Sequence, residues 1–322
     1  MPSMKPPFQK TPDTSALIKS LDECEKKAIF TIETAALSRI VNRLVGQGFF
    51  WILPVMLAKS TDPLWPDAGA SIEKRIEVEI YDETVRTMQS MIIHKRVLVS
   101  TCLEKFFILS PNIRIEKRDR ASTGSHLYEF TQLDMEAAYW RMEDVFKLFE
   151  GVIRDVVEFV KGSFKDELKT LSRDLRVPQT PFKVCRREEL EKEYGKDWEV
   201  KVSESVEDPV WVTNIPREFY DYEDEERGEW RNFDLFLPEG YGEVISGAER
   251  EYEYEKIVKK LERDGLRRGD YSVLLELARR GRLRPSSGAG IGVERFVSYL
   301  CGAEHVAEVQ PFPRIPGVVP EL

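Results

Sequence analysis

Two long stretches of the chain carry apolar residues at helical spacing. The first runs from Ser15 to Gly46 and predicts an amphipathic helix that ends at Gly46 and Gly48, since glycine is common just after a helix. Its periodic apolar positions include Ala35, Ile40, Val41 and Leu44. The second runs from Met135 to Leu168 with the same period and predicts one long helix packed in the core.

A third segment alternates apolar and polar residues, as strands with one buried face do. Ile113 and Ile115 alternate with Arg114 and Glu116, and a polar loop over residues 117–125 follows. By the period of two, one face of the return strand carries Phe130, Gln132 and Asp134. The segment predicts a hairpin that presents charged and aromatic side chains together.

Glycines at alternate positions mark a strand near the C-terminus. They are Gly288, Gly290 and Gly292, and a ligand could lie against the backbone of the face that they leave bare. An apolar helical stripe follows, with Arg295 in its first turn. Because a cation is disfavoured at the positive end of a helix, this Arg is best explained by an anion such as phosphate. The alternative is a Gly-rich turn before an ordinary amphipathic helix.

The stretch 232–254 predicts a second hairpin. Phe233 and Leu235 flank Asp234, the turn is Pro238–Glu239–Gly240, and Glu243 follows on the partner strand. Two carboxylates brought together near phosphates indicate Mg²⁺, which prefers oxygen ligands. The acidic stretch just before this hairpin, residues 219–230, predicts a solvated loop.

These segments resemble the three signature motifs of the class II aminoacyl-tRNA synthetases, in the aspartyl and asparaginyl branch. The first helix with its following apolar run FFWILP resembles motif one, the Arg114 hairpin motif two, and the string GAGIGVER motif three. The resemblance covers about residues 30–316. It implies an α+β fold, an antiparallel β-sheet flanked by α-helices. It also implies ATP-dependent activation of a carboxylate and a homodimer formed through the motif-one helix.

The resemblance also implies which residues bind the nucleotide. Arg114 and Arg295 would be catalytic, and Asp234 and Glu243 would bind Mg²⁺. The ATP-binding set would be Arg114, Glu116, His126, Phe130, Glu243, Ser246, Gly292 and Arg295. Ser125 departs from the family, where many members carry Arg, and Arg118 or Arg120 is expected to take over that contact.

A second set is implied for the amino-acid substrate. It comprises Gln89, Ser90, Lys95, Gln132, Asp134, Gly247 and Arg250. Asparaginyl enzymes carry an uncharged residue at the position of Lys95, so Lys95 together with Arg250 points to the acidic side chain of aspartate. The alternative for Lys95 is a solvated position on an amphipathic helix.

Composition narrows the class of protein. The chain has 322 residues, 33% of them charged and 42% hydrophobic, with a net charge of −9. No apolar run reaches the ~18 residues of a membrane helix, and no leader is recognisable at the N-terminus, so no membrane and a cytoplasmic location are expected. The negative charge argues against a dedicated nucleic-acid surface. Four scattered cysteines indicate neither a zinc site nor a disulfide framework.

The domain organisation shapes the functional expectation. Residues 1–18 are expected to form a flexible arm and residues 19–322 the catalytic domain, which leaves too little chain before motif one for an anticodon-binding barrel of about 70–100 residues. A chain of this kind resembles archaeal asparagine synthetases related to asparaginyl-tRNA synthetase. We therefore expect it to convert aspartate, ATP and ammonia to asparagine and AMP, without tRNA as a partner. The alternatives are acylation of tRNA or another acceptor, and a non-catalytic adenylate-binding role.

Overall fold

A computed structural model of the protein describes residues 7, 12–64 and 72–322. Within these residues its α-helices are α1 (Thr14–Leu21), α2 (Cys24–Gly46), α3 (Ile92–Val99), α4 (Met142–Ser163), α5 (Lys165–Thr170), α6 (Arg187–Tyr194), α7 (Trp198–Ser205), α8 (Tyr254–Arg263), α9 (Ser272–Arg279) and α10 (Val293–Cys301). Short 3₁₀ turns lie at Arg118–Thr123, Gly195–Asp197, Arg268–Tyr271 and Val306–Val309.

The strands form one large sheet and three small ones. In chain order they are β1 (Phe50–Ile52), β2 (Leu57–Ala58), β3 (Ile72–Lys74), β4 (Glu77–Ile80), β5 (Glu83–Thr87), β6 (Lys105–Ile113), β7 (Ile115–Glu116), β8 (Glu129–Ala138), β9 (Lys183–Arg186), β10 (Val210–Thr213), β11 (Glu223–Asp224), β12 (Glu229–Trp230), β13 (Asn232–Leu237), β14 (Gly242–Glu249) and β15 (Ser286–Gly292). The large sheet has the order β1-β6-β8-β15-β14-β13-β10-β9. Its interior is antiparallel, and the edge strands β1 and β9 each join in parallel. The α+β fold expected from the sequence is confirmed.

The main core lies on one face of this sheet. Helices α2, α4 and α10 pack there against side chains such as Phe107, Leu133, Met135, Leu235 and Ile291. Because successive side chains of a strand point to opposite faces, the residues between them point away from these helices. Gln132, Asp134 and Glu136 of β8 belong to that second face, which carries the candidate site.

Two helix predictions need correction. The helix predicted from Ser15 to Gly46 is interrupted after Leu21, where α1 ends and α2 begins at Cys24. The helix predicted from Met135 to Leu168 starts only at Met142, because Met135–Ala138 belong to strand β8. All four residues are buried, and three of them (Met135, Ala137 and Ala138) are apolar, so this short run fits a helix and a buried strand equally well.

The N-terminal arm falls largely outside the described residues. Its last part, from Thr14 onward, is helical and belongs to α1, with the side chain of Asp13 accepting a hydrogen bond from the backbone N–H of Ala16. In the part of the chain that the structure describes, no helix combines the length and apolar character needed to cross a membrane.

Close packing accounts for the glycines of β15. A Cβ on Gly288 would collide with the carboxylate of Glu136 and come within 2.5 Å of the Met135 carbonyl oxygen, and one on Gly290 would lie 2.8 Å from Asp134 Oδ1. Gly288 and Gly290 thus face side chains from β8, whereas Gly292 faces Arg295. Gly290 and Gly292 also belong to the lining of the candidate site, so the expectation that a ligand lies against this backbone stays a prediction.

Candidate active site

A cavity of about 500 Å³ opens on the sheet face opposite the main core. Its lining comes from α3, the β7–β8 hairpin, β13, β14, β15 and the first turn of α10. Every predicted site residue lines it except Gln89. The side chain of Gln89 is buried, and its backbone carbonyl oxygen accepts a hydrogen bond from Arg114 Nε at 3.0 Å. Motifs two and three and the Asp234 hairpin therefore meet at one place, whereas the motif-one segment does not line the cavity. The individual roles of these residues stay predictions.

The register of the strands explains why residues from distant segments lie together in this cavity. Asp134 of β8 lies opposite Gly290 of β15, Gly290 lies opposite Ser246 of β14, and Ser246 lies opposite Asp234 of β13. Residues directly opposite each other on neighbouring strands share one face of a sheet. We call these four residues the polar row. It places the carboxylates of two distant segments on the floor of one cavity.

One end of the cavity combines an Arg, an aromatic ring and a buried carboxylate. The guanidinium of Arg114 lies 5.2 Å from the centre of the Phe130 ring. Glu116 is buried, and its Oε2 atom has no hydrogen-bond partner among the described residues. Burial raises the pKa of Glu116, an effect that the nearby Arg114 opposes. A flat base with an amino group would fit this end, because the ring offers a stacking surface and Glu116 an acceptor.

His126 is held in the uncharged form. Its Nδ1 lies 2.6 Å from the hydroxyl of Thr123 and 3.2 Å from that of Ser125. Burial, and then the positive charge of Arg295, lower the pKa of His126 to about 3. At neutral pH this imidazole is therefore a hydrogen-bonding group and adds no positive charge to the cavity.

Arg295 connects the motif-two loop to the sheet. Its Nε donates to the carbonyl oxygen of Ser125 at 3.1 Å, and its Nη1 donates to the carbonyl oxygen of Glu243 at 2.8 Å. Ser125, which departs from the family pattern, thus contributes its backbone to the site. Of the two arginines expected to compensate, Arg120 lines the cavity, whereas Arg118 is not among the lining residues.

Glu294, the neighbour of Arg295, has a structural role. Its two carboxylate oxygens accept the backbone N–H of Thr131 at 2.9 and 3.0 Å, and Gln310 Nε2 donates to it at 3.4 Å. Burial raises the pKa of Glu294 to about 7. This carboxylate fastens the start of α10 to strand β8 and so orients Arg295 toward the cavity.

The opposite end of the cavity holds paired charges. Lys95 Nζ donates to Asp134 Oδ1 at 2.7 Å, and both side chains are buried. Arg250 donates to Asp221 Oδ1 at 2.9 Å and lies 3.3 Å from Glu136 Oε1. Asp134 Oδ2 has no partner within the described part of the chain. The two cations predicted to bind a substrate carboxylate are thus already neutralised by protein carboxylates.

Several residues at this end escaped the sequence analysis. Tyr220 and Asp221 were assigned to a solvated loop, but both are buried, and the Tyr220 hydroxyl donates to Asp62 Oδ2 at 3.0 Å. Arg217, two residues before that segment, lines the cavity and pairs with Asp234. The aromatic pair Phe219–Tyr220 was the available signal, because adjacent aromatic residues are unusual in a fully solvated loop.

The predicted metal ligands are a pair of carboxylates. Asp234 is buried and its Oδ1 has no hydrogen-bond partner among the residues described, while Glu243 lies on the neighbouring strand. Burial, and then the charge of Asp234, raise the pKa of Glu243. Within the described residues no cluster of three or more His, Cys, Asp or Glu is arranged to bind a metal ion. The pair fits a cation that also takes oxygen ligands from a bound phosphate.

A largely antiparallel sheet that is backed by helices on one face and carries a cavity lined by motifs two and three on the other is typical of the catalytic domain of a class II aminoacyl-tRNA synthetase. The family described as "tRNA synthetases class II (D, K and N)" matches residues 16–316. The chain belongs to this family.

Known relatives agree with this assignment. An asparagine–tRNA ligase of Thermococcus gammatolerans is 29% identical over 85% of this chain and 65% of its own length. One from Symbiobacterium thermophilum is 32% identical over 77% of this chain and 61% of its own length. The chain thus spans less than two thirds of these relatives.

Solved structures give the same fold. Asparaginyl-tRNA synthetase of Pyrococcus horikoshii complexed with asparaginyl-adenylate superposes with a TM-score of 0.84 at 26% identity, covering 96% of this chain and 74% of that one. Asparaginyl-tRNA synthetase of Entamoeba histolytica has a TM-score of 0.81 at 20% identity and supports the fold alone.

These comparisons correct the functional expectation. The prediction of asparagine synthesis from aspartate and ammonia is wrong, because the relatives are named asparagine–tRNA ligases and the structural neighbours are asparaginyl-tRNA synthetases. The expectation that tRNA is not a partner loses its support for the same reason. The alternative considered from the sequence, acylation of tRNA, fits the comparisons better.

Proposed function

We propose that the chain activates aspartate or asparagine with ATP and transfers the resulting aminoacyl group to tRNA. The observation that carries the proposal is the polar row, which joins the amino-acid-like end at Asp134 to the carboxylate pair at Asp234, in the same cavity as the nucleotide-like end at Phe130 and Glu116. The proposal rests further on the names of the relatives, among them a structure that contains asparaginyl-adenylate.

Three buried oxygen atoms without partners in the described chain support this use of the cavity. They are Glu116 Oε2, Asp134 Oδ2 and Asp234 Oδ1. A buried polar atom without a partner is costly, so each is well placed to receive a ligand group. Glu116 would accept the amino group of adenine and Asp134 the ammonium group of the amino acid.

In the first step, a carboxylate oxygen of the amino acid attacks the α-phosphorus of ATP. A new phosphorus–oxygen bond forms, the bond to the bridging oxygen of the β-phosphate breaks, and pyrophosphate leaves with that electron pair. Arg114 and Arg295 would stabilise the negative charge that builds up on the phosphate oxygens. Asp234 and Glu243 would hold Mg²⁺, which when bound supplies further neutralisation of the phosphates.

In the second step, a terminal ribose hydroxyl of tRNA attacks the carbonyl carbon of the adenylate. An ester bond forms, the bond to the phosphate oxygen breaks, and AMP leaves while the hydroxyl proton passes to it or to water. The positive charges of Arg114 and Arg295 again lie beside the leaving phosphate.

The proposal covers both four-carbon amino acids because of the paired charges. Lys95 and Arg250 keep their preference for a carboxylate or a carbonyl oxygen. Since both already contact protein carboxylates, the pocket offers little uncompensated positive charge, and an amide side chain is also accommodated. The relatives' names add weight to asparagine.

We further propose that two copies of the chain associate through the motif-one region. Strand β1 is an edge strand whose side chains are exposed, with Phe50 at 59% and Leu53, just beyond it, at 82%. Exposed apolar residues on an edge strand favour pairing with another chain.

We also propose that residues 19–322 form the catalytic domain.

The test measures exchange between ATP and labelled pyrophosphate with aspartate or asparagine, followed by transfer of the labelled amino acid to tRNA. We expect exchange with at least one amino acid, and acid-precipitable label that depends on both ATP and tRNA. A parallel reaction contains ammonium in place of tRNA. Free asparagine formed from aspartate there, without any charging of tRNA, would contradict the proposal.

A further inference from the structure

Arg217 is a buried cation that no sequence motif accounted for. It follows strand β10 in a short loop after Pro216, and its side chain is mostly buried in the wall of the cavity. One nitrogen of its guanidinium donates to Asp234 Oδ2 and another donates to Ser246 Oγ. Both acceptors belong to the polar row, so Arg217 lies over the floor of the site.

The pairing between Arg217 and Asp234 is incomplete. A guanidinium can engage both oxygens of a carboxylate in a two-point contact. Arg217 engages only Oδ2, and Asp234 Oδ1 has no partner in the described part of the chain. A purely structural ion pair at a site this buried is expected to satisfy both oxygens. The open oxygen therefore indicates a second cation at this carboxylate.

The surroundings of the pair are rich in carboxylates. Glu243 lies beside it on β14, and Glu218 directly follows Arg217 in the chain and also lines the cavity. Arg295 contacts Glu243 Oε2 only at 3.8 Å. Arg217 is thus the cation in direct hydrogen-bonding contact with Asp234.

We propose that Arg217 is the resident counter-cation of Asp234 and competes with a divalent metal ion for this carboxylate when no nucleotide is bound. This inference rests on the proposed function for the presence of metal and phosphate at the site. The metal would then enter efficiently only together with the nucleotide, whose phosphates give the displaced guanidinium a new anionic partner. Arg217 would make metal binding and nucleotide binding depend on each other.

The experiment measures Mn²⁺ binding to the nucleotide-free protein by electron paramagnetic resonance of the free ion. We expect Arg217→Met to bind Mn²⁺ on the order of tenfold more tightly than the unmodified chain, because a unit positive charge is removed next to the carboxylate pair. The double variant Arg217→Met/Asp234→Asn should lose this gain. The matched control is Arg176→Met, which removes an Arg from an exposed pair with Glu207 and Asp208 and should leave Mn²⁺ affinity unchanged.

Unchanged Mn²⁺ affinity in a folded Arg217→Met variant would overturn the proposal. So would a gain that survives Asp234→Asn. If Arg217→Met does not fold, Arg217→Gln serves in its place, because glutamine can still donate to Ser246 while removing the charge, and the same gain is expected. No amino acid, ATP or tRNA is present, so the result is independent of whether the proposed transfer reaction takes place.

Discussion

Lys95 Nζ and Asp134 Oδ1 form a buried ion pair 2.7 Å apart at one end of the cavity. The two residues come from helix α3 and strand β8, which the sequence places about forty residues apart. Removing one partner of such a pair leaves the other charge buried and alone. The pair is therefore part of the fold as well as of the proposed amino-acid pocket.

We expect Lys95→Leu to lower the free energy of unfolding by about 3–5 kcal/mol and to weaken amino-acid binding before ATP binding. Chemical denaturation and separate titrations of the two substrates measure these effects. The double variant Lys95→Leu/Asp134→Leu should recover much of the stability, because no charge is then left unpaired, but not the amino-acid affinity. Unchanged amino-acid affinity in a folded Lys95→Leu variant would remove this residue from the proposed pocket.

Arg295→Ala should reduce pyrophosphate exchange by about 10²–10³-fold, because a charge aimed at the phosphates is lost. Arg295→Lys keeps the charge but loses the guanidinium whose two separate nitrogens donate to Ser125 and Glu243, so it should retain partial activity. The control is Arg279→Ala, which removes an exposed Arg paired with Glu276 far from the cavity lining. Full exchange activity in Arg295→Ala would show that this residue does not act on the phosphates.

The raised pKa of Glu294 predicts that the stability of the folded chain depends on pH. Its pKa in the folded chain is about 7, whereas a free glutamate has about 4.3, so the folded state binds an additional proton between these values. Stability therefore falls as pH rises from about 4.3 to 7 and loses no more from this group at higher pH. The Glu294→Gln variant lacks this contribution. Its melting temperature should therefore fall less between pH 5 and pH 8 than that of the unmodified chain.

The comparison needs a control for net charge. Glu226→Gln removes one negative charge from an exposed turn and should leave the pH dependence as it is in the unmodified chain. If Glu294→Gln and Glu226→Gln behave alike, the carboxylate at position 294 does not carry the proposed buried proton.

Gly290→Ala should affect the ligand more than the fold. The added methyl would lie 2.8 Å from Asp134 Oδ1 and would push this carboxylate from Lys95. We expect a loss of stability of about 1–3 kcal/mol and a marked rise in KM for the amino acid, with little change in KM for ATP. Gly162→Ala, where no atom lies within 4 Å of the added carbon, is the control and should be neutral or stabilising. An equal rise in both KM values would show that Gly290 does not act through Asp134.

The sequence predicted those parts of the site that depend on local periodicity. The period of two placed Phe130, Gln132 and Asp134 on one face, and the structure has all three in the cavity lining. Gly290, Gly292 and Arg295 likewise line the cavity, whereas Gly288 does not. Such features need only the geometry of one strand or one helical turn.

Long-range pairs could not be predicted in the same way. Arg217 meets Asp234, and Arg250 meets Asp221 and Glu136, only because the sheet brings their segments together. The high content of acidic residues in 219–230 indicated a solvated loop, whereas Tyr220 and Asp221 of this segment are buried. The strand residues Met135–Ala138 were assigned to a helix because a run of four residues, three of them apolar, is too short to show a distinguishable period.

The polar row has a geometric consequence for the ligand. Asp134 and Asp234 lie three strands apart across the sheet, at intervals of about 4.8 Å, and so about 14 Å from backbone to backbone. Backbone hydrogen bonding sets this length, and side-chain substitutions change it very little. A ligand that contacts both Asp134 and Asp234 must match this length, so the sheet itself sets the reach between the proposed amino-acid pocket and the proposed phosphate site.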